Sequence, residues 1–194
     1  MKSIQILLIL LVGALNQSLF AQPQGPEKGS LVIVGGNARI APEVFKEFID
    51  LAGGSTANIV IIPTANGGRD FGPAYQGRVY PNFQQHGANN LQILHTDDRV
   101  VADSEEFTDV IKNATGVWFM GGRQWRLADA YLGTKTQTAL ASLLAKGGVI
   151  GGSSAGATIL GSYLVRGDTK TNTIMMGDHE EGFGFLKDLS LIHI

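Results

Sequence analysis

Gly147-Gly148-Val149-Ile150-Gly151-Gly152-Ser153-Ser154-Ala155-Gly156-Ala157 is the segment from which the fold is read. The short apolar segment Gly148 to Ile150 runs into Gly152-Ser153-Ser154-Ala155-Gly156, a G-x-S-x-G pattern. Such an elbow carries a serine on a sharp strand-to-helix turn, and its glycines are required because backbone packs against backbone there. The hydroxyl then stands above a sheet, beside helix N-terminal amides that receive developing negative charge. The first expectation is an α/β serine hydrolase.

The segments before the elbow support an α/β layout. Leu31 to Val34 is an apolar run ending in Gly35-Gly36. Pro42 opens a helical pattern with Val44, Phe45, Phe48, Ile49 and Ala52 on one face and Gly53-Gly54 as its stop. Asn58 to Ile62 reads as a buried strand ended by Pro63, Leu91 to His95 as another, and Gly116 to Met120 as a third. Helices are expected over Glu105 to Lys112, Trp125 to Leu132 and Thr136 to Lys146, the last closed by Gly147-Gly148. Residues 66 to 84 mix glycine, proline and aromatics and read as part helix, part loop. Apolar strands alternating with amphipathic helices imply a mostly parallel sheet flanked by helices. The turns after its strands, Gly35-Gly36-Asn37, Pro63-Thr64-Ala65-Asn66 and Gly121-Gly122-Arg123-Gln124, would share the edge where ligands bind.

Composition bounds the function. With no cysteine, a thiolate nucleophile, a thiolate metal site and a disulfide are all excluded. The formal net charge of -2 offers no electrostatic case for nucleic acid. Lys2, the apolar stretch Ile4 to Leu15 and Ser18-Leu19-Phe20-Ala21 form a secretory leader pattern over residues 1–21, so export to the periplasm or medium is expected, with no membrane attachment once it is removed. Residues 22–29 read as a linker and 30–194 as one domain. Asp178-His179-Glu180-Glu181 reads as a solvated acidic loop rather than a metal site, because adjacent residues rarely converge on one ion. The glycine runs match neither a Walker loop nor a dinucleotide fingerprint, and no metal or cofactor is expected.

Val34-Gly35-Gly36-Asn37, Ile59-Val60-Ile61-Ile62-Pro63-Thr64-Ala65, Phe119-Met120-Gly121-Gly122-Arg123-Gln124 and Gly152-Ser153-Ser154-Ala155-Gly156-Ala157 occur in that order. Together they resemble the serine peptidase family of cyanophycinases and aspartyl dipeptidases, over about residues 30 to 187. The resemblance implies a class I glutamine amidotransferase-like fold with serine in place of the cysteine nucleophile. It implies Ser154 as nucleophile, the amides of Ala155 and Gly122 as oxyanion donors, and Gln124 near the substrate. Arg123 stands where the family often has an acidic residue.

The proton-transfer side follows the family order serine, acid, histidine. Gly182-Phe183-Gly184-Phe185-Leu186 precedes His193, which lies 39 residues after Ser154, and Asp168 lies 14 residues after it. His193 is the expected base and Asp168 the acid that holds its tautomer. The family's D-Q before the histidine is Leu191-Ile192 here, so the domain reads as incomplete at its C-terminus. Asp168 also has a simpler reading as a turn residue after Gly167. His86 and His95 read as surface or structural residues, and Trp118 and Phe119 as core. The resemblance points to acidic or β-aspartyl peptide substrates and leaves a homodimer open. An α/β esterase and a non-catalytic relative that keeps the fold are the competing readings.

Overall fold

The computed structural model describes residues 24–38, 41–68, 70–165, 169–171 and 175–190, with side chains to residue 188. The expected leader, Asp168 and His193 lie outside the described residues. Five strands form the central sheet: β1 (Ser30–Val34), β2 (Asn58–Ile62), β3 (Asn90–Ile93), β4 (Gly116–Phe119) and β5 (Val149–Ser153). Their order is β1-β5-β4-β2-β3, and every neighbouring pair is parallel. Parallel pairing forces a crossover between strands, and helices supply it.

The crossover helices are α1 (Pro42–Leu51), α2 (Pro73–Val79), α3 (Pro81–Gln84), α4 (Arg99–Ala102), α5 (Glu105–Lys112), α6 (Gln124–Tyr131) and α7 (Lys135–Ala145). They cover both faces of the sheet. Ile59, Ile61, Trp118 and Val149 point to one face and meet Phe45, Phe48 and Phe83. Val60, Ile62, Val117, Phe119 and Ile150 point to the other and meet Ile111, Leu127, Tyr131, Leu140 and Leu144. Two apolar faces explain why β2 and β4 read as continuous apolar runs rather than alternating ones. Gly151 has a packing reason of its own, since a Cβ there would sit 2.5 Å from the Trp118 ring.

Most predicted elements match the observed ones, and the differences have local causes. α5 begins where Ser104 caps it, its hydroxyl accepting from the Phe107 N–H. α4 follows Asp98, which caps it by accepting from the Val100 N–H. β3 ends at Ile93 instead of His95, because the His95 ring is drawn onto Thr64 and the chain then turns through Thr96 to Asp98. Beyond the elbow, α8 (Ala155–Thr158) leads to a small parallel pair, β6 (Gly161–Tyr163) with β7 (Leu186–Ser190), which the sequence reading missed. Gly182 sits against Gly161 there, where a Cβ would be 2.2 Å from the Gly161 carbonyl oxygen.

Strand connections leave β2 toward β3 and leave β4 toward β5, so the direction reverses between β4 and β2. At such a switch point the turns beyond the strand ends splay apart and leave a crevice. The turns after β2 and β4 stand there, and Ser154 follows β5, the next strand over.

Candidate active site

Ser154 is held at φ 56° and ψ −123°, a region that an L-residue with a side chain rarely occupies. Three contacts over-determine it. Its N–H donates to the Val34 carbonyl at 2.9 Å, its carbonyl accepts from Ala157 and Thr158, and Gly121 lies directly against it. The small residues of the motif are steric requirements. A Cβ on Gly152 would lie 2.3 Å from the Gly156 oxygen, and one on Gly156 would lie 2.2 Å from the Phe119 oxygen. β5, the elbow and β4 are therefore locked together around the serine.

Ser154 opens on a cleft of about 400 Å³. Its apolar wall is Phe45, Val79, Phe83, Trp118 and Met120, and its polar lining includes Asn37, Asn66, Tyr75, Arg78 and Asn82. Arg78 lies over the Tyr75 ring at 5.6 Å. Burial holds the Tyr75 hydroxyl above its usual pKa, and the nearby Arg78 charge opposes that shift.

The turn after β4 forms the other side of the serine. A Cβ on Gly121 would sit 3.0 Å from the Ser154 Cβ. Gly122 adopts φ 143° and presses on the Ala65 carbonyl, which accepts from the Arg123 N–H at 2.8 Å and from Arg126 at 3.1 Å. Asn66 donates its side-chain amide to the Gly121 carbonyl at 2.9 Å and to the Pro63 carbonyl at 3.2 Å. Among the described residues, the amides of Gly122 and Ala155 have no hydrogen-bond acceptor. These are the two amides the sequence nominated as oxyanion donors.

Gln124, at the first turn of α6, is 8% exposed and beside this turn rather than on the cleft wall. Among the described residues no histidine lines the cleft. His95 lies away from the cleft, in a hydrogen-bonded chain: Tyr131 bonds Thr64 at 2.6 Å, and Thr64 bonds His95 Nδ1 at 2.8 Å. The Tyr131 oxygen also accepts from the Thr96 N–H at 3.4 Å, so Thr96, Tyr131, Thr64 and His95 form one hydrogen-bonded chain. Burial lowers the His95 pKa, with Asp97 opposing. Burial likewise pushes the Tyr131 phenol up to about 12. His179 meets Asp129 at 2.6 Å and lies beside the Trp125 ring, whereas Asp178, Glu180 and Glu181 are exposed. Among the described residues, no group of three histidines and carboxylates is arranged to hold a metal ion.

Sequence reasoning did not single out Asn66, Arg126, Tyr75 or Arg78. Asn66 carries a usable signal, since it ends the Pro63-Thr64-Ala65-Asn66 turn, which the strand pattern places on the ligand-binding edge. Arg78 and Tyr75 lie in the glycine-rich stretch whose periodicity was too mixed to place them on one face.

A parallel α/β sheet with a strained serine after β5 defines a protein of the nucleophile-elbow class. The family model for peptidase family S51 matches residues 31–194, and the chain belongs to that family. It is 29% identical over 144 residues to a cyanophycinase of Geminocystis herdmanii, covering 72% of this chain and 52% of that protein. It is 30% identical over 168 residues to a cyanophycinase of Synechococcus elongatus, covering 84% of this chain and 51% of that one. The chain thus spans about half the length of these curated relatives. A crystal structure of a peptidase from an acI-B1 actinobacterium superposes with a TM-score of 0.65 at 26% identity, over 88% of this chain and 70% of that one.

Proposed function

We propose that the protein is an exported serine-type peptidase in which Ser154 is the nucleophile. The observation that carries this reading is the Ser154 backbone at φ 56° and ψ −123°, beside a cleft and two amides without acceptors among the described residues. Strain of this kind costs about 1–3 kcal/mol and persists where the surroundings impose it, most often at sites of chemistry.

In this mechanism Ser154 Oγ attacks the peptide carbonyl carbon as a histidine takes its proton. The carbonyl oxygen becomes an oxyanion that the Ala155 and Gly122 amides receive. The C–N bond then breaks, the histidine returns the proton to the leaving amine, and an ester to Ser154 remains. Water, deprotonated by the same histidine, hydrolyses that ester. His193 is the proposed base and Asp168 its orienting acid, on chain order and spacing. Gln124, at the start of α6, is proposed from the family resemblance to stand near the substrate, behind the cleft wall.

Substrates are proposed to be acidic peptides, with β-linked Asp-Arg preferred over N-terminal aspartyl peptides. Similarity to proteins named cyanophycinase supports that choice, and the Arg78 cation on the cleft wall suits a substrate carboxylate. The leader pattern of residues 1–21 supports export.

A fluorophosphonate probe together with β-Asp-Arg hydrolysis tests the proposal. Labelling and turnover are expected in the native protein and absent in Ser154→Ala. Labelling that survives Ser154→Ala refutes the nucleophile. Turnover of p-nitrophenyl acetate with none of either peptide refutes the peptidase reading in favour of an esterase.

A further inference from the structure

We infer that Asn66 is a positioning residue that sets the direction of the Gly121–Gly122 peptide and so makes the Gly122 N–H an oxyanion donor. This inference rests on the proposed roles of Ser154 and Gly122. In a trans peptide the C=O and N–H point in opposite directions, so whichever group holds one determines where the other aims. Asn66 Nδ2 holds the Gly121 carbonyl at 2.9 Å, which turns the Gly122 N–H away from Asn66. The peptide starts from Gly121, whose Cα packs against the Ser154 side chain.

An external clamp is needed because glycine stands on both sides of this peptide. A peptide flip requires opposite rotations about ψ of Gly121 and φ of Gly122, and neither residue has a Cβ to resist them. After a flip the Gly121 carbonyl would take the place of the N–H and repel an oxyanion. The surroundings hold the rest of the turn but leave that rotation to Asn66. The Arg123 N–H is tied to the Ala65 carbonyl at 2.8 Å, and the same oxygen bears on Gly122. Asn66 is itself anchored, with its second amide proton on the Pro63 carbonyl at 3.2 Å.

The juxtaposition comes from the switch point. β2 and β4 are neighbours in register, Ile62 opposite Phe119, so the turn that follows each strand meets the other. Asn66 is 55 residues from Gly121 in the chain and reaches it only through that pairing. A hydrogen bond of ordinary net strength corresponds to about a tenfold population ratio between the two peptide directions.

The test uses the full chain with Asn66→Ala and Asn66→Asp. Asn66→Ala is expected to lower kcat about tenfold with KM within about twofold, short of the 10²–10³ lost when a donor is removed outright. Asn66→Asp is expected to be worse than Asn66→Ala, because its carboxylate repels the Gly121 carbonyl and accepts the flipped Gly122 N–H. A packing role predicts the reverse order, since aspartate is nearly isosteric with asparagine. The Gly122 amide resonance in ¹⁵N spectra provides a readout that does not need turnover: it should move downfield in Asn66→Asp. An aspartate variant as active as the alanine variant, or an unchanged Gly122 resonance in both, overturns the inference. Activity that Ser154→Ala leaves intact refutes the nucleophile instead, and Ser154-dependent activity indifferent to Asn66 refutes only the positioning role.

Discussion

Replacing Ser154 by glycine should make the protein more stable than replacing it by alanine. Both substitutions delete the hydroxyl and its contacts, so the pair isolates the backbone. Alanine keeps a Cβ at φ 56° and ψ −123°, whereas glycine enters that region without it. Strain there is about 1–3 kcal/mol, and glycine loses about 0.5–1 kcal/mol relative to alanine through the greater entropy of its unfolded chain. The balance favours Ser154→Gly by about 1 kcal/mol, which for a chain of this size is about 2–4 °C in Tm. Thermal melts and urea titrations of the two variants side by side measure it, and the m-values should agree because the folded surface is unchanged. A glycine variant that melts at or below the alanine variant would mean that the elbow stores no strain, and the observation carrying the functional proposal would fall with it. If the difference has the expected sign, stability is being given up at this position for a hydroxyl on the cleft, the trade-off expected of a nucleophile.

Two further outcomes follow from the same geometry. Gly122→Ala places a Cβ 2.1 Å from the Ala65 oxygen at φ 143°, so the turn must move; destabilisation by about 1–3 kcal/mol is expected together with loss of fluorophosphonate labelling. An alanine variant that labels at the native rate would remove Gly122 from the oxyanion site. Stability should also fall as pH drops below 6.5. His95 has a folded pKa below its unfolded one, so in that range the unfolded chain takes up a proton that the folded chain refuses. The loss continues down to the folded pKa. Glu105, whose carboxyl is held at about 2 by hydrogen bonds from Lys112 and Lys135, loses its contribution only below 4.5. His95→Asn keeps a hydrogen-bonding group opposite Thr64 and should flatten urea-midpoint profiles just below pH 6.5; an unchanged slope there would assign the effect to another group.

How far the fold could be read in advance differs from element to element. The strand Asn58–Ile62 and the helix Glu105–Lys112 were legible to the residue, because Pro63 stops one and Ser104 caps the other. The helix from Pro42 was legible through its apolar face, and Phe45, Phe48 and Ile49 are indeed buried. β3 was read to end two residues too late, since nothing in its own sequence reports the bond that draws His95 onto Thr64. The pair β6 and β7 was invisible, because its strands are short and separated by more than twenty residues, and Gly161 meets Gly182 only after folding. Within the candidate site, the turn that carries Ser154 after β5 was legible, and the Gly121-Gly122 turn lies against it. Asn66 was not recognised, nor were Tyr75 and Arg78 on the cleft wall.

The sequence by itself determined that a serine would stand on a strained turn after an apolar strand. The small residues that permit that conformation lie within a few positions of one another, although Val34 and Gly121 complete its restraint from elsewhere in the chain. It also determined that the strands would be covered on both faces, through their unbroken apolar runs. Tertiary structure alone decided what the serine faces. The order β1-β5-β4-β2-β3 places the turn after β2 against the turn after β4, which joins Asn66 to Gly121 and the Ala65 carbonyl to Gly122 and Arg123. Local periodicity carries the type of each element but not its neighbours. Strand order is set by how two apolar faces are buried at once, a property of the whole sheet rather than of any segment in it.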